Sequence, residues 1–166
     1  MAYYIILRGP LGCGKSTIAK RLSAILGVHC FAIDRILDEH GLTKDTEKGY
    51  ISLKSFLQAN KIVVPKAKKF LDKRIPVIFE GNFYWKSQIE DLIRQLEYPY
   101  YVFTLKAPVE VCIERDAHRN KTHGEDAARV VYKKSTEFTY GTVIDVDKPL
   151  LECVKEIILM LPKPKV

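Results

Sequence analysis

Gly9-Pro10-Leu11-Gly12-Cys13-Gly14-Lys15-Ser16-Thr17 has the spacing G-x-x-x-x-G-K-[ST], and the chemistry of that pattern is the grip of a polyphosphate. Its glycines let the backbone fold into a concave nest whose N–H groups point inward at an anion. Gly9, Gly12, Cys13, Gly14, Lys15, Ser16 and Thr17 are therefore the expected nucleotide-binding residues. Lys15 adds a mobile positive charge, and Ser16 a hydroxyl suited to the metal ion that bridges phosphates. A helix starting here adds its positive end. The chain is expected to bind a nucleoside triphosphate.

Transfer of a phosphoryl group asks for positioning, for positive charge at the migrating group, and for a carboxylate near an acceptor hydroxyl. Asp34 fits the last role, because it follows an apolar run and should point into a cleft; its structural alternative is a helix N-cap before Ile36-Leu37. Arg35 would orient the acceptor or pair with Asp38. Glu80 ends a second apolar run and would hold a metal-bound water or the acceptor. Gly81 and Asn82 beside it would let the backbone approach a ligand. Phe83, Tyr84 and Trp85 would stack on a ring or belong to the core. Arg115 and Arg119, four apart, would share a helix face and present guanidinium forks to phosphate, or form a basic helix end. As a lid around 115–130 they would close over nucleotide and exclude water. His118 and His123 lack metal-ligand spacing and read as surface residues.

Alternating strands and helices must place these groups. Tyr3–Leu7, Val28–Ile33, Ile75–Glu80, Tyr100–Leu105 and Thr142–Val146 read as strands. Helical patterns follow the glycine loop, at Ser52–Asn60, Pro65–Lys73 and Lys86–Leu96, after Pro108, and over Pro149–Leu161. The expected fold is α/β: a three-layer P-loop fold with a parallel five-stranded sheet, helices on both faces and a short lid. Ligands of such sheets lie beyond the carboxyl ends of the strands. That rule gathers the glycine loop, Asp34, Glu80 and the residues after Leu105 at one edge. Residues 1–166 are expected to form one domain, and the tail from Pro162 to Val166 to fray.

The composition, 47% hydrophobic and 28% charged, is that of an ordinary globular protein. No long apolar run or leader signature is present, so membrane partners are not expected and the cytoplasm is. Cys13, Cys30, Cys112 and Cys153 are far apart and read as reduced thiols, the last three in the core. Cys13, at a helix N-terminus, should have a lowered pKa. It would serve as a redox group or simply as a small residue that fits the loop. The net charge is +7, and residues 44–74 hold nine basic side chains against three acidic ones. That surplus would suit a polyanion such as nucleic acid, or form a solvated helix face.

The order of these features resembles P-loop kinases of the nucleotide and small-molecule group over nearly the whole sequence. Ala107–Cys112 running into Glu114-Arg115-Asp116 is similar to adenylylsulfate kinases. Arg115-x-x-x-Arg119, with Ala127–Lys134 downstream, is similar to polynucleotide 5′-hydroxyl kinases. The resemblance implies that Lys15 and Ser16 hold phosphate and Mg²⁺, that Asp34 activates the acceptor hydroxyl, and that Arg119 contacts the transferring phosphate. It places Asp145–Lys148 near the base of ATP. No phosphatase or ligase domain accompanies it, and adenylylsulfate kinase motifs beyond the lid are absent, so the acceptor stays open.

The implied activity is ATP- and Mg²⁺-dependent phosphorylation of a hydroxyl on a small molecule, a nucleotide or a nucleic-acid 5′ end, by a monomer or homodimer. A guanine-reading N-K-x-D is missing, since Asn120-Lys121-Thr122-His123 lacks the Asp. An AAA+ motor would need a helical lid domain, for which the chain is too short. The remaining rival is an ATP-binding, nucleic-acid-interacting module without turnover, which has no use for a carboxylate such as Asp34 aimed at the γ-phosphate.

Overall fold

The computed structural model describes residues 2–119 and 123–163, so 120–122 of the expected lid and 164–166 of the tail lie outside the description. Its elements are β1 (Tyr4–Arg8), α1 (Lys15–Leu26), β2 (His29–Ala32), α2 (Ile33–Glu39), β3 (Thr46–Glu47), β4 (Tyr50–Ile51), α3 (Leu53–Leu71), β5 (Val77–Gly81), α4 (Lys86–Leu96), β6 (Tyr100–Lys106), α5 (Val109–Ala117), α6 (Glu125–Ser135), β7 (Thr142–Asp145) and α7 (Leu150–Leu159). The main sheet has five strands in the order β2-β5-β1-β6-β7, every neighbouring pair parallel. The expected α/β architecture is the one observed.

β1 is buried from end to end, as a parallel strand covered on both faces must be. Its alternate side chains feed two separate cores. Tyr4 and Ile6 pack with the buried faces of α2, α3 and α4. Tyr3, Ile5 and Leu7 pack with α1, α7 and Cys112 of α5. No helix among the described residues is long and apolar enough to cross a membrane.

The structure corrects several expectations. Ser52–Asn60 and Pro65–Lys73 are one helix, α3, which runs through Pro65. Phe56, Ala59, Val63, Val64, Ala67 and Leu71 form one buried stripe across the proline. Interrupting that stripe would cost more than the roughly 3 kcal/mol penalty of an interior proline. Pro65 itself faces solvent. β2 stops at Ala32, so Ile33 and Asp34 belong to the first turn of α2. The cap position is Ala32, which rules out the N-cap role for Asp34. Arg119 lies beyond the end of α5, so the two arginines do not share a helix face. Cys13, Cys112 and Cys153 are the buried thiols and Cys30 is half-buried.

The β3–β4 hairpin was not foreseen. Lys48 (φ 53°) and Gly49 (φ 84°) turn it, the left-handed pair that matches strand twist. Two aromatic side chains hang it on the sheet. The Ile51 N–H donates to the Tyr84 hydroxyl at 3.2 Å, and Trp85 Nε1 donates to the Ile51 carbonyl at 2.8 Å. Phe83 and Tyr84 are otherwise core, the bland reading of that aromatic run.

Candidate active site

The glycine loop sits beyond the carboxyl end of β1. Gly12 has φ +77°, and a Cβ there would meet the Cys112 carbonyl oxygen at 2.0 Å. Gly14 has φ +100° and lies against Leu150. Only glycine fits either place. Lys15 is largely buried, and its Nζ donates to the Pro10 carbonyl at 2.8 Å, which folds the side chain back over the loop. Gly12, Gly14, Lys15, Ser16, Thr17, Arg115 and Arg119 border a pocket of 320 Å³. Gly9 does not; a Cβ on it would lie 2.9 Å from the Cys13 sulfur. That sulfur is sealed in the core, and burial pushes the Cys13 thiol pKa up. The expected lowering is overturned because desolvation of the thiolate outweighs Lys15 and the helix end.

Arg115 ties three segments together. Nη1 donates to the Cys13 carbonyl at 3.0 Å, and Nη2 to the carbonyls of Val146 at 2.7 Å and Lys148 at 3.4 Å. The loop after β7 is thus fastened to the glycine loop. Arg119 is held by a residue that sequence reasoning passed over. The Asp116 carboxylate, almost fully buried, pairs with Arg119 at 3.7 Å and accepts from the His123 backbone N–H at 3.1 Å. Its other oxygen lies 3.3 Å from His123 Nδ1. An acidic residue between two basic ones was the available signal, and it reads equally well as surface. His118 and His123 are exposed, as expected, and each also borders a pocket of the site.

The two expected carboxylates are brought together. Glu80 pairs across the sheet with Leu7 on one side and Ala32 on the other. Gly81 follows, and a Cβ on it would lie 3.0 Å from the Ile33 Cβ. The close approach that Gly81 permits is therefore to α2 rather than to a ligand, and it seats Asp34 beside Glu80. Ser16 lies close enough to Glu80 for its hydroxyl to oppose the burial shift there. Both carboxyls are pushed above the ordinary range, chiefly by burial. Lys15 opposes the shift for each, as does Arg119, while Asp38 adds to it at Asp34 and Asp34 adds to it at Glu80.

A second pocket, of 370 Å³, opens on the far side of Asp34. α2 supplies Asp34, Leu37 and Asp38, and the hairpin supplies Tyr50 and Ile51. Asn82 and Tyr84 line it from below, and Ala127, Val130 and Val131 of α6 close it from above. The expected Asn82 is here, but Arg35 is exposed and borders neither pocket. No basic residue of 44–74 borders either pocket. Among the described residues no group of three or more His, Cys, Asp or Glu side chains could cage a metal. A hydroxyl with one adjacent carboxylate, Ser16 with Glu80, fits instead a Mg²⁺ that keeps waters and phosphate oxygens as its other ligands.

The sequence model described as an AAA domain matches residues 5–138. No curated protein matches the chain by sequence. A gluconokinase from Sinorhizobium meliloti 1021 superposes with a TM-score of 0.74 at 18% identity, covering 94% of this chain and 89% of its own. A sugar kinase from Janibacter sp. HTCC2649 gives 0.77 at 15% identity, covering 96% and 94%. The shikimate kinase of Aquifex aeolicus gives 0.63 at 19% identity, covering 94% of each chain. These likenesses are of fold.

Proposed function

The chain belongs to the AAA domain family, and from that premise we propose that it is an ATP-dependent kinase that phosphorylates a hydroxyl of a small molecule. The observation that carries this reading is Asp34, which lines a pocket separate from the phosphate-gripping one and lies within electrostatic reach of Lys15 and Arg119. The structural neighbours named gluconokinase, sugar kinase and shikimate kinase support it.

The glycine loop and Lys15 hold the β- and γ-phosphates, and Nζ exchanges the Pro10 carbonyl for phosphate oxygens. Ser16, with Glu80 through water, would hold a Mg²⁺, which would supply neutralisation of phosphate charge. Arg115 fixes the loop at Val146–Lys148 against the adenine side. Asp34 accepts the proton of the acceptor hydroxyl, whose oxygen bonds to the γ-phosphorus as the bond to the ADP oxygen breaks. Arg119 meets the charge spread over the migrating group. Asp116 positions Arg119 and His123 and touches neither reactant. Residues 1–166 act as one catalytic domain with α5 and α6 as its cover.

γ-Labelled ATP with Mg²⁺, offered with sugars, polyols, nucleosides and 5′-hydroxyl oligonucleotides, tests the reading, with Lys15→Ala as control. Lys15-dependent label on a small alcohol is expected. ATP binding without transfer to any alcohol would overturn it.

A further inference from the structure

The second pocket has a chemical bias that the kinase reading, on which this inference rests, does not require. Asn82 is 8% exposed, and its Oδ1 has no hydrogen-bond partner. Such an orphan is costly unless a ligand supplies a donor. Asp34 and Asp38 add two carboxylates from successive turns of α2, roughly 6 Å apart along its axis. No Lys or Arg among the described residues lines this pocket. Lys15 and Arg119 border the other one, and no basic residue of α3 lines this one. The imidazole of His123 is held by Asp116. Asp38 has no ion pair with any described residue. Leu37 and Val131 give the opposite walls an apolar surface.

An anionic acceptor would enter this pocket against two carboxylates, with no Lys or Arg among the described lining residues to meet it. A 5′-phosphodiester strand would do so as well. A neutral polyol would satisfy Asn82 but leave Asp38 unused. We propose that the acceptor is a cationic amino alcohol: its hydroxyl faces Asp34, its ammonium group pairs with Asp38 about one helical turn away, and a second N–H or O–H satisfies Asn82 Oδ1. Asp38 is then the residue that sets specificity, and it takes no part in the transfer.

The test uses matched amine, neutral and carboxylate forms of hexose, pentitol and cyclitol scaffolds, glucosamine, glucose and gluconate among them. Each is assayed for Lys15-dependent label from γ-labelled ATP. Each is also assayed by calorimetry with a non-hydrolysable ATP analogue present. At least one amine should exceed its carboxylate counterpart by about tenfold or more in kcat/KM and in affinity. Asp38→Asn should collapse that ratio, and Asp38→Lys should invert it. Carboxylates equal to or better than amines, a ratio indifferent to Asp38, or no amine binding in the millimolar range would each overturn the inference. Transfer to a carboxylate or neutral alcohol alone sinks this inference and leaves the kinase standing. Amine binding with no transfer to any alcohol sinks the kinase and leaves the pocket's charge preference standing.

Discussion

Arg8 Nη2 donates to the Ser135 carbonyl at 2.9 Å, joining residues 127 positions apart. Arg8 is the last residue of β1 and is wholly buried, with no carboxylate partner. Its guanidinium spends its donors on neutral oxygens: the carbonyls of Phe83 at 3.2 Å and Phe138 at 3.3 Å, and the Thr104 hydroxyl at 3.1 Å. The Phe138 ring lies 4.3 Å from its central carbon. Burial pulls its pKa down to about 10, which still leaves it charged at neutral pH. The strand that launches the glycine loop is thereby bolted to the carboxyl end of α6, whose opposite end roofs the acceptor pocket.

Arg8→Lys should destabilise the fold by about 2–4 kcal/mol, because an ammonium cannot reproduce the planar fork and leaves buried carbonyls unpaired. It should also raise the KM for the acceptor more than for ATP, since α6 loses its anchor. Denaturant unfolding and steady-state kinetics check the two halves. Unchanged stability would show that the fork is not needed.

Gly81→Ala should separate chemistry from nucleotide binding. The new Cβ meets Ile33 at 3.0 Å and must push α2 outward by a few tenths of an ångström, carrying Asp34 with it. Turnover should fall about tenfold or more, as misplaced catalytic groups do. Affinity for an ATP analogue should hold, because the glycine loop lies on another strand.

Asp34→Asn should keep ATP binding and slow transfer by about 10²-fold or more. Its stability effect has the opposite sign. A carboxyl whose folded pKa is raised favours the folded state at low pH and loses that benefit as pH rises through the folded value. At neutral pH the variant should therefore melt above the parent, and the gap should close on acidification toward the ordinary carboxylate range. For the same reason the acid limb of kcat should lie above that range. Equal melting temperatures at neutral pH would show that Asp34 carries no charge cost in the fold.

Arg115→Ala and Arg119→Ala should fail differently. Arg115 bridges carbonyls of the glycine loop and the β7–α7 loop, so its loss should lower the melting temperature and ATP affinity together. Arg119 is half-exposed, and its loss should lower kcat about tenfold or more with little change in stability. Matching losses of melting temperature would overturn the distinction.

The sheet, the glycine loop and the meeting of Asp34 with Glu80 were legible because continuous apolar runs and G-x-x-x-x-G-K-S are local signals. What was not legible depends on partners distant in sequence. Pro65 breaks a helix in isolation, but a stripe from Phe56 to Leu71 buried against α4 and β5 overrides it. Cys13 looks activated by its helix end until the core closes over its sulfur. Arg8, Asp116 and Asp38 carry no motif at all: the first two are marked by burial, the third only by the pocket it lines. The hairpin eluded detection because two-residue strands have no periodicity to read.

Tyr84 and Trp85 suspend the β3–β4 hairpin through the backbone of Ile51, while Lys15, Asp34 and Glu80 are set by the sheet edge. The hairpin wall of the second pocket thus lies on a different stretch of chain from Lys15, Asp34 and Glu80, joined to the sheet by two aromatic pegs. Evolution, or a protein engineer, is free to rewrite the hairpin and the inner face of α6 without disturbing the machinery for transfer. Such a scaffold is suited to diversify, with new acceptors acquired by changing a short insert rather than by reinventing a catalyst.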